Sequence, residues 1–167
     1  MQYTREGAAM SVILPGSYDP VTLGHLEIIK QVAEREDEVY AVIFVNPTKK
    51  CRYSLADRAN MLMLATEGLD NVMVSYSTGM VVDYMREHGI DRIVKGYRND
   101  TDLEYERVQA EYNLRHGGYD TELIKCSDEF ESISSSAVRE LLDSGGDISH
   151  LVPTAVLAYI EELEERE

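Results

Sequence analysis

The chain has 167 residues, enough for one domain with a substantial core and too few for two of ordinary size. Hydrophobic residues make up 44% and charged residues 28%, which is ordinary globular usage and argues against extensive disorder. The formal charge of −15, from 31 Asp and Glu against 16 Lys and Arg, opposes binding to DNA or RNA, so we expect no nucleic-acid partner.

Membrane and secretion signals are missing from the sequence. The longest uninterrupted run of hydrophobic residues is residues 39–45, whereas a membrane span needs about 20 residues. The first ten residues do not place a basic stretch before an apolar one, so we expect no secretory signal. Cys51 and Cys126 show no metal-type spacing and suit a reducing compartment. We therefore predict a cytoplasmic protein with no membrane partner and no metal-ligand motif.

Segments of strand and helix character alternate from the first apolar run onwards. Residues 11–14 predict a strand, and a loop leads from it to a helix over residues 25–36 with Leu26, Ile29 and Val32 on one face. Residues 39–45 are apolar nearly throughout, which is typical of a strand covered on both faces. These three segments predict a βαβ unit.

The alternation continues to the end of the chain. Ser54 is predicted to cap a helix that ends near Gly68, and strands are predicted at residues 71–76, 91–96 and 121–126. Further helices are predicted at residues 80–89, from a capping box at residues 101–104 towards residue 117, after the serines at 134–136, and with Pro153 in a first turn.

Five strands that alternate with helices predict an α/β protein with a doubly wound, five-stranded parallel sheet. We interpret residues 1–167 as one domain, with an extension at residues 1–9 and an acidic tail at residues 161–167. Ligands bind such sheets outside the carboxyl ends of the strands, near the point where the strand order reverses. We therefore expect the ligand-binding residues in the loops after residues 14, 45, 95 and 126.

The first of these loops contains an unusual histidine. Gly16 and Gly24 bracket the loop and allow its backbone to approach a ligand, and His25 follows in the first turn of the helix. Unpaired N–H groups and the helix dipole favour an anion there, so a protonatable imidazole and these groups can converge on one phosphate. An isolated histidine at a helix start would more simply be solvated. The P-loop and G-x-G-x-x-G fingerprints are absent.

A phosphate site in so acidic a chain needs local cations, and two basic clusters follow predicted strands. The first comprises Lys49, Lys50 and Arg52, and the second lies within residues 92–98 with Lys95 and Arg98. Each cluster taken alone could equally be a solvated surface.

Two motifs carry a resemblance to the nucleotidyltransferase superfamily. Residues 22–25, Thr-Leu-Gly-His, resemble its T/H-x-G-H signature, and residues 133–136, Ile-Ser-Ser-Ser, resemble its I-S-S-[ST] signature at a helix start. Residues 46–50 and 95–106 are also similar to loops of bacterial phosphopantetheine adenylyltransferases. The resemblance covers roughly residues 11–160 and implies a Rossmann-like nucleotidyltransferase fold.

The resemblance implies an enzyme that transfers AMP from ATP to 4′-phosphopantetheine, giving dephospho-CoA and pyrophosphate, in coenzyme A biosynthesis. It also implies Mg²⁺ with ATP as a substrate and assembly into a hexamer. Two alternatives stay open: a related nucleotidyltransferase with another acceptor such as nicotinamide mononucleotide, and a nucleotide-binding module without catalysis. Retention of His25 and of the serines at 134–136 counts against the module.

Residue roles follow from the same resemblance. His25 would stabilise the transition state, with Lys49 and Arg98 also catalytic. The acceptor would be bound by Ser17, Lys49, Val81 and Lys95. ATP would contact Ser17, Tyr18, His25, Gly96, Tyr97, Arg98, Glu106, Phe130, Glu131, Ser132, Ile133, Ser134, Ser135 and Ser136.

This chain departs from the family pattern at two of these positions. Lys95 stands where the family usually has Arg, and Ser17 where it usually has Thr. Lysine keeps the charge but lacks the fork that holds a phosphate bidentately. Serine preserves the hydroxyl.

Overall fold

A computed structural model describes residues 9–166 of the chain. Residues 1–8 of the predicted extension and residue 167 of the predicted acidic tail lie outside the described residues. The strands are β1 (Ser11–Gly16), β2 (Glu38–Phe44), β3 (Val72–Ser77), β4 (Arg92–Tyr97) and β5 (Thr121–Lys125). The α-helices are α1 (Leu23–Arg35), α2 (Leu55–Ala65), α3 (Val81–His88), α4 (Asp100–Gly117), α5 (Ser135–Asp143) and α6 (Thr154–Glu165). A 3₁₀ turn at Asp128–Phe130 precedes α5.

The five strands form one parallel sheet in the order β3-β2-β1-β4-β5. Strand β1 lies in the middle and pairs along its length with β2, from Ser11 opposite Glu38 to Gly16 opposite Ile43. The chain winds outwards from β1 to β3 on one side and from β4 to β5 on the other, so the order reverses between β1 and β4. The predicted fold class and the five-strand alternation are confirmed.

Helices cover both faces of the sheet and divide the core in two. Val12 and Leu14 of β1 belong to a large cluster with residues of α1, α2, α5 and α6. Ile13, on the opposite face of the same strand, belongs to a smaller cluster with Tyr84 and Met85 of α3. Because successive side chains of a strand alternate between faces, a strand buried on both sides is apolar along most of its length, as β1 is after Ser11 and β2 is after Glu38.

Two helix starts differ from the prediction. The expected capping box at residues 101–104 is wrong, because Asn99 is the N-cap of α4 and its side chain accepts the Asp102 N–H at 2.9 Å. Asn is among the strongest N-cap residues, and with it in place Glu104 pairs with Arg107 at the surface. Pro153 precedes α6 as its N-cap and does not lie in the first turn. Among the described helices, none is long and apolar enough to cross a membrane.

Candidate functional site

A cavity of about 810 Å³ opens at the carboxyl ends of the strands, where the strand order reverses. Its walls come from the loops after β1, β2, β4 and β5, from one face of α4 and from the first turns of α1, α3 and α5. The volume is within the range of small-molecule sites, which is about 300 to 1,000 Å³. The cavity therefore lies where the sequence predicted ligand-binding loops to meet.

His25 is the third residue of α1 and takes part in a capping box. Thr22 is the N-cap: its side chain accepts the His25 N–H at 3.4 Å, and its own N–H donates to His25 Nδ1 at 3.0 Å. A ring nitrogen that accepts an N–H bond carries no proton, so the proton of the neutral ring is on Nε2. The backbone thus fixes the tautomer and leaves an Nε2–H donor for the cavity that His25 lines.

The electrostatic surroundings keep this imidazole neutral. Burial, together with the nearby charges of Lys95 and Arg98, lowers the pKa of His25 from 6.5 to about 4, and burial is the largest of these causes. At neutral pH, His25 is therefore an uncharged hydrogen-bond donor. The sequence suggested a protonatable imidazole, and the structure replaces that with a neutral donor held among cations.

The ring of Tyr18 packs against the ring of His25. Its ring centroid lies 4.9 Å from that of His25, its hydroxyl donates to the Leu14 carbonyl at 2.8 Å, and burial raises its pKa. A Cβ added at Gly16 would lie 3.1 Å from the Tyr18 ring, so this ring requires glycine or a small shift there. Tyr18 was predicted to contact ATP and lines the cavity, but its hydroxyl already has a protein partner.

The residues predicted to bind the acceptor all line this cavity. Lys49 Nζ donates to Ser17 Oγ at 3.2 Å, which joins the loop after β2 to the loop after β1. Lys95 Nζ donates to the Pro15 carbonyl at 3.1 Å. Val81, the first residue of α3, contributes an apolar wall.

Two ion pairs lie on the side of the cavity formed by α4. Lys95 Nζ lies 3.5 Å from Glu106 Oε1, while Glu106 Oε2 is buried without a hydrogen-bond partner. Burial raises the pKa of Glu106, although Lys95 opposes this effect. Arg98 is held by both carboxylate oxygens of Asp102, at 2.9 and 3.2 Å. The sequence reasoning missed Asp102, which lies one helical turn from Arg98 and could have been found by that spacing.

The three serines before and within α5 have different partners. Ser134 Oγ caps the helix by accepting the Ala137 N–H at 3.0 Å, and Ser135 Oγ donates to the Pro20 carbonyl at 2.8 Å. Ser136 Oγ accepts from Arg139 at 3.1 Å, which leaves its proton for a ligand. Ser135 and Ser136 are the first two residues of α5, and N–H groups in the first turn of a helix have no intrahelical partner. Both residues line the cavity.

The remaining residues predicted to bind ATP fall into two groups. Gly96, Tyr97 and Ile133 line the cavity, and a Cβ on Gly96 would lie 2.9 Å from the Ile28 side chain. Phe130, Glu131 and Ser132 do not line it: Phe130 packs against the main core, and Glu131 and Ser132 are exposed. Their predicted contact with ATP stays a prediction.

The sequence predicted only Glu106 of the cavity wall that α4 forms. Helix α4 has no buried residue, and the side chains it presents to the cavity recur at helical spacing. Its polar composition gave no apolar stripe from which this face could be recognised. These residues are Thr101, Asp102, Tyr105, Glu106, Gln109, Ala110 and Asn113.

Two buried charged residues were also missed: Asp19, which lines the cavity, and Arg58, which does not. Asp19 is 2% exposed and Arg58 is 5% exposed. Arg58 donates to the carbonyls of Ser17 and Tyr53 at 3.1 and 3.2 Å, and so ties α2 to two loops of the site. Arg58 lies three residues before Met61, on the same buried face of α2. An Arg is almost never fully buried unless it is paired, so this position indicated that Arg58 has hydrogen-bond partners.

Taken together, the cavity brings a neutral donor, cations and open helix N–H groups to one place. Such a set can orient two phosphate groups and stabilise charge that develops between them. Within residues 9–166, no group of three or more His, Cys, Asp or Glu side chains could hold a metal ion.

Comparison with known proteins shows which family this chain resembles. Residues 13–141 match the family described as cytidylyltransferase-like. Over 158 residues, the chain is 39% identical to a phosphopantetheine adenylyltransferase of Thermotoga neapolitana, and the match covers 93% of this chain and 98% of that relative.

Proposed function

This chain belongs to the cytidylyltransferase-like family and, within it, to the phosphopantetheine adenylyltransferases, and from that premise we propose that it transfers AMP from ATP to 4′-phosphopantetheine. A phosphate oxygen of the acceptor attacks the α-phosphorus of ATP, a new P–O bond forms, and the bond to the pyrophosphate leaving group breaks. The products are dephospho-CoA and pyrophosphate.

One observation supports this reaction most directly. His25 lines the same cavity as cations from two different strand ends and as the N–H groups of α5 that have no intrahelical partner. Lys49 and Lys95 hold the attacking phosphate. His25 donates from Nε2 to the oxygens of the α-phosphate, where charge develops. The α5 N–H groups and Arg98 bind the leaving phosphates.

The sizes of the effects indicate where the rate enhancement arises. Holding two reactants in line supplies roughly 7 to 11 kcal/mol, whereas one preorganised donor supplies about 3 to 4 kcal/mol. Alignment therefore dominates. A site with no activated nucleophile is suited to phosphoryl-type transfer, in which the substrate's own phosphate is the nucleophile.

We propose that Mg²⁺ enters with ATP, since the ion neutralises phosphate charge during transfer. Asp102 and Glu106, the carboxylates that line the cavity beside the proposed phosphate ligands, are paired with Arg98 and Lys95. The oxygens of ATP itself would therefore supply most of the ligands of the Mg²⁺ ion. We further propose a cytoplasmic location.

We also propose that the chain forms a hexamer. Helix α4 presents large apolar side chains to solvent, with Tyr105, Val108 and Tyr112 at helical spacing and 65%, 62% and 42% exposed. Clustered exposed apolar residues are typical of an interface. Light scattering after size exclusion should give six times the 18.9-kDa chain mass, and a monomer mass would contradict the proposal.

The reaction is tested by supplying ATP with one acceptor at a time and measuring pyrophosphate release together with product mass. We expect release with 4′-phosphopantetheine and none with pantetheine, which lacks the attacking phosphate. Release with nicotinamide mononucleotide alone would assign a different acceptor. Tight ATP binding without release on any acceptor would indicate a binding module.

A further inference from the structure

Asp19 holds the loop that carries Lys49. Its carboxylate is buried in the loop after β1, and its two oxygens accept the backbone N–H groups of Arg52 and Tyr53 at 2.8 and 3.0 Å. Arg52 follows Lys49 by three residues in the loop after β2. The carboxylate thus fixes the backbone next to the lysine that we place on the acceptor phosphate.

The same residue is joined to the other half of the site. The Asp19 carbonyl accepts from Arg139 Nη1 of α5 at 2.8 Å, and that nitrogen lies 3.8 Å from Asp19 Oδ2. The other terminal nitrogen of Arg139 donates to Ser136 Oγ at 3.1 Å. The following carbonyl, of Pro20, accepts from Ser135 Oγ. Asp19 and its neighbour therefore touch both the loop after β2 and the start of α5.

We propose that Asp19 is a positioning residue that sets the placement of the loop carrying Lys49 relative to His25 and the start of α5. This rests on the proposed function, because these parts hold the acceptor and ATP in that reaction. Both carboxylate oxygens of Asp19 already accept backbone N–H groups, so the side chain acts through its neighbours and not on the substrates. A misplacement of about 1 Å between reacting groups can cost on the order of 10²-fold in rate.

The test compares Asp19→Asn and Asp19→Ala with wild type. Asparagine keeps one acceptor oxygen and loses the other, so kcat should fall about 10-fold for Asp19→Asn and on the order of 100-fold for Asp19→Ala, with ATP affinity within about threefold. Hydrogen exchange at residues 46–53 should quicken in both variants. If Asp19→Ala does not fold, Asp19→Asn carries the test.

A matched control separates positioning from stability. Asn71 Nδ2 donates to the carbonyls of Ala33 and Glu36 at 2.8 and 2.9 Å, beyond the amino end of β3 and away from the cavity. Asn71→Ala also removes two bonds that fix a loop, so it should lower the melting temperature while leaving kcat unchanged. A kcat loss in Asn71→Ala that matches the loss in Asp19→Asn would overturn the positioning role.

Coupling to Lys49 completes the test. If Asp19 acts through the Lys49 loop, Asp19→Asn should reduce kcat/KM less in a Lys49→Ala background than in wild type. Equal losses in both backgrounds, or a wild-type kcat in Asp19→Asn, would refute the inference. A wild-type protein that fails to turn over would contradict the proposed function instead, and unchanged exchange at residues 46–53 would still overturn the role of Asp19.

Discussion

Replacing His25 with glutamine should make the stability of the protein less sensitive to acid. Glutamine at this third helical position can still accept the Thr22 N–H, as in other capping boxes, so the substitution removes the titrating ring and keeps the helix start. The comparison between the two proteins then isolates the protonation of one side chain.

The pKa of His25 gives the sign and the size of the effect. It is about 4 in the folded chain and 6.5 unperturbed. Between these values the unfolded chain binds a proton that the folded chain does not, so stability is fully present above about pH 6.5 and is lost as the pH falls towards 4. A pKa difference of one amounts to about 1.4 kcal/mol, so His25 costs wild type about 2 kcal/mol by pH 5 and on the order of 3 kcal/mol in full.

Urea unfolding at pH 7.5 and pH 5 measures this difference. Circular dichroism is the suitable signal, because the chain has no tryptophan. Between these pH values wild type should lose about 2 kcal/mol more than His25→Gln. His150→Gln, at an exposed position, is the control and should follow wild type. If wild type and His25→Gln lose the same stability, His25 is not a buried neutral imidazole.

Three further outcomes are expected. His25→Ala should lower kcat by on the order of 10²-fold while calorimetry shows ATP affinity largely retained, because the lost Nε2–H donor acts mainly on the transition state and the lost capping bond to Thr22 affects mainly stability; near-normal turnover would exclude His25 from the mechanism. Arg58→Met leaves the carbonyls of Ser17 and Tyr53 without their donor, so urea unfolding should show a loss of about 2 to 4 kcal/mol. Ser134→Ala removes the N-cap of α5 and should cost about 1 kcal/mol of unfolding free energy, and no loss would contradict the cap.

Local sequence patterns predicted the strands and helices, because these elements depend mainly on residues that are neighbours along the chain. Ser54 and Ser134 were recognisable as helix caps, since a cap joins a side chain to an N–H three residues later. The same dependence on neighbours explains why the capping box predicted at residues 101–104 was wrong. Asn99 and Thr101 each precede an acidic residue by three positions, so both suit an N-cap. Only the backbone conformation shows that Asn99 takes the cap.

The functional site was only partly readable from the sequence. The motif residues stood out by their chemistry, but their partners did not, because hydrogen bonds between distant segments leave no local pattern. Ser135 donates to the Pro20 carbonyl, and Lys95 donates to the Pro15 carbonyl. Asp19 was not singled out in the sequence, whereas its burial and the two N–H groups that it accepts indicate a role.

The sequence by itself determined the alternation of strands and helices, the parallel sheet and the signatures at residues 22–25 and 133–136. Apolar runs and helical periodicity are properties of contiguous residues, and they survive in the unfolded chain. The tertiary structure decided the order β3-β2-β1-β4-β5, which brings residues more than a hundred positions apart to one cavity. It also decided the pKa of His25, because burial and neighbouring cations lower the pKa of an imidazole and exist only in the folded chain.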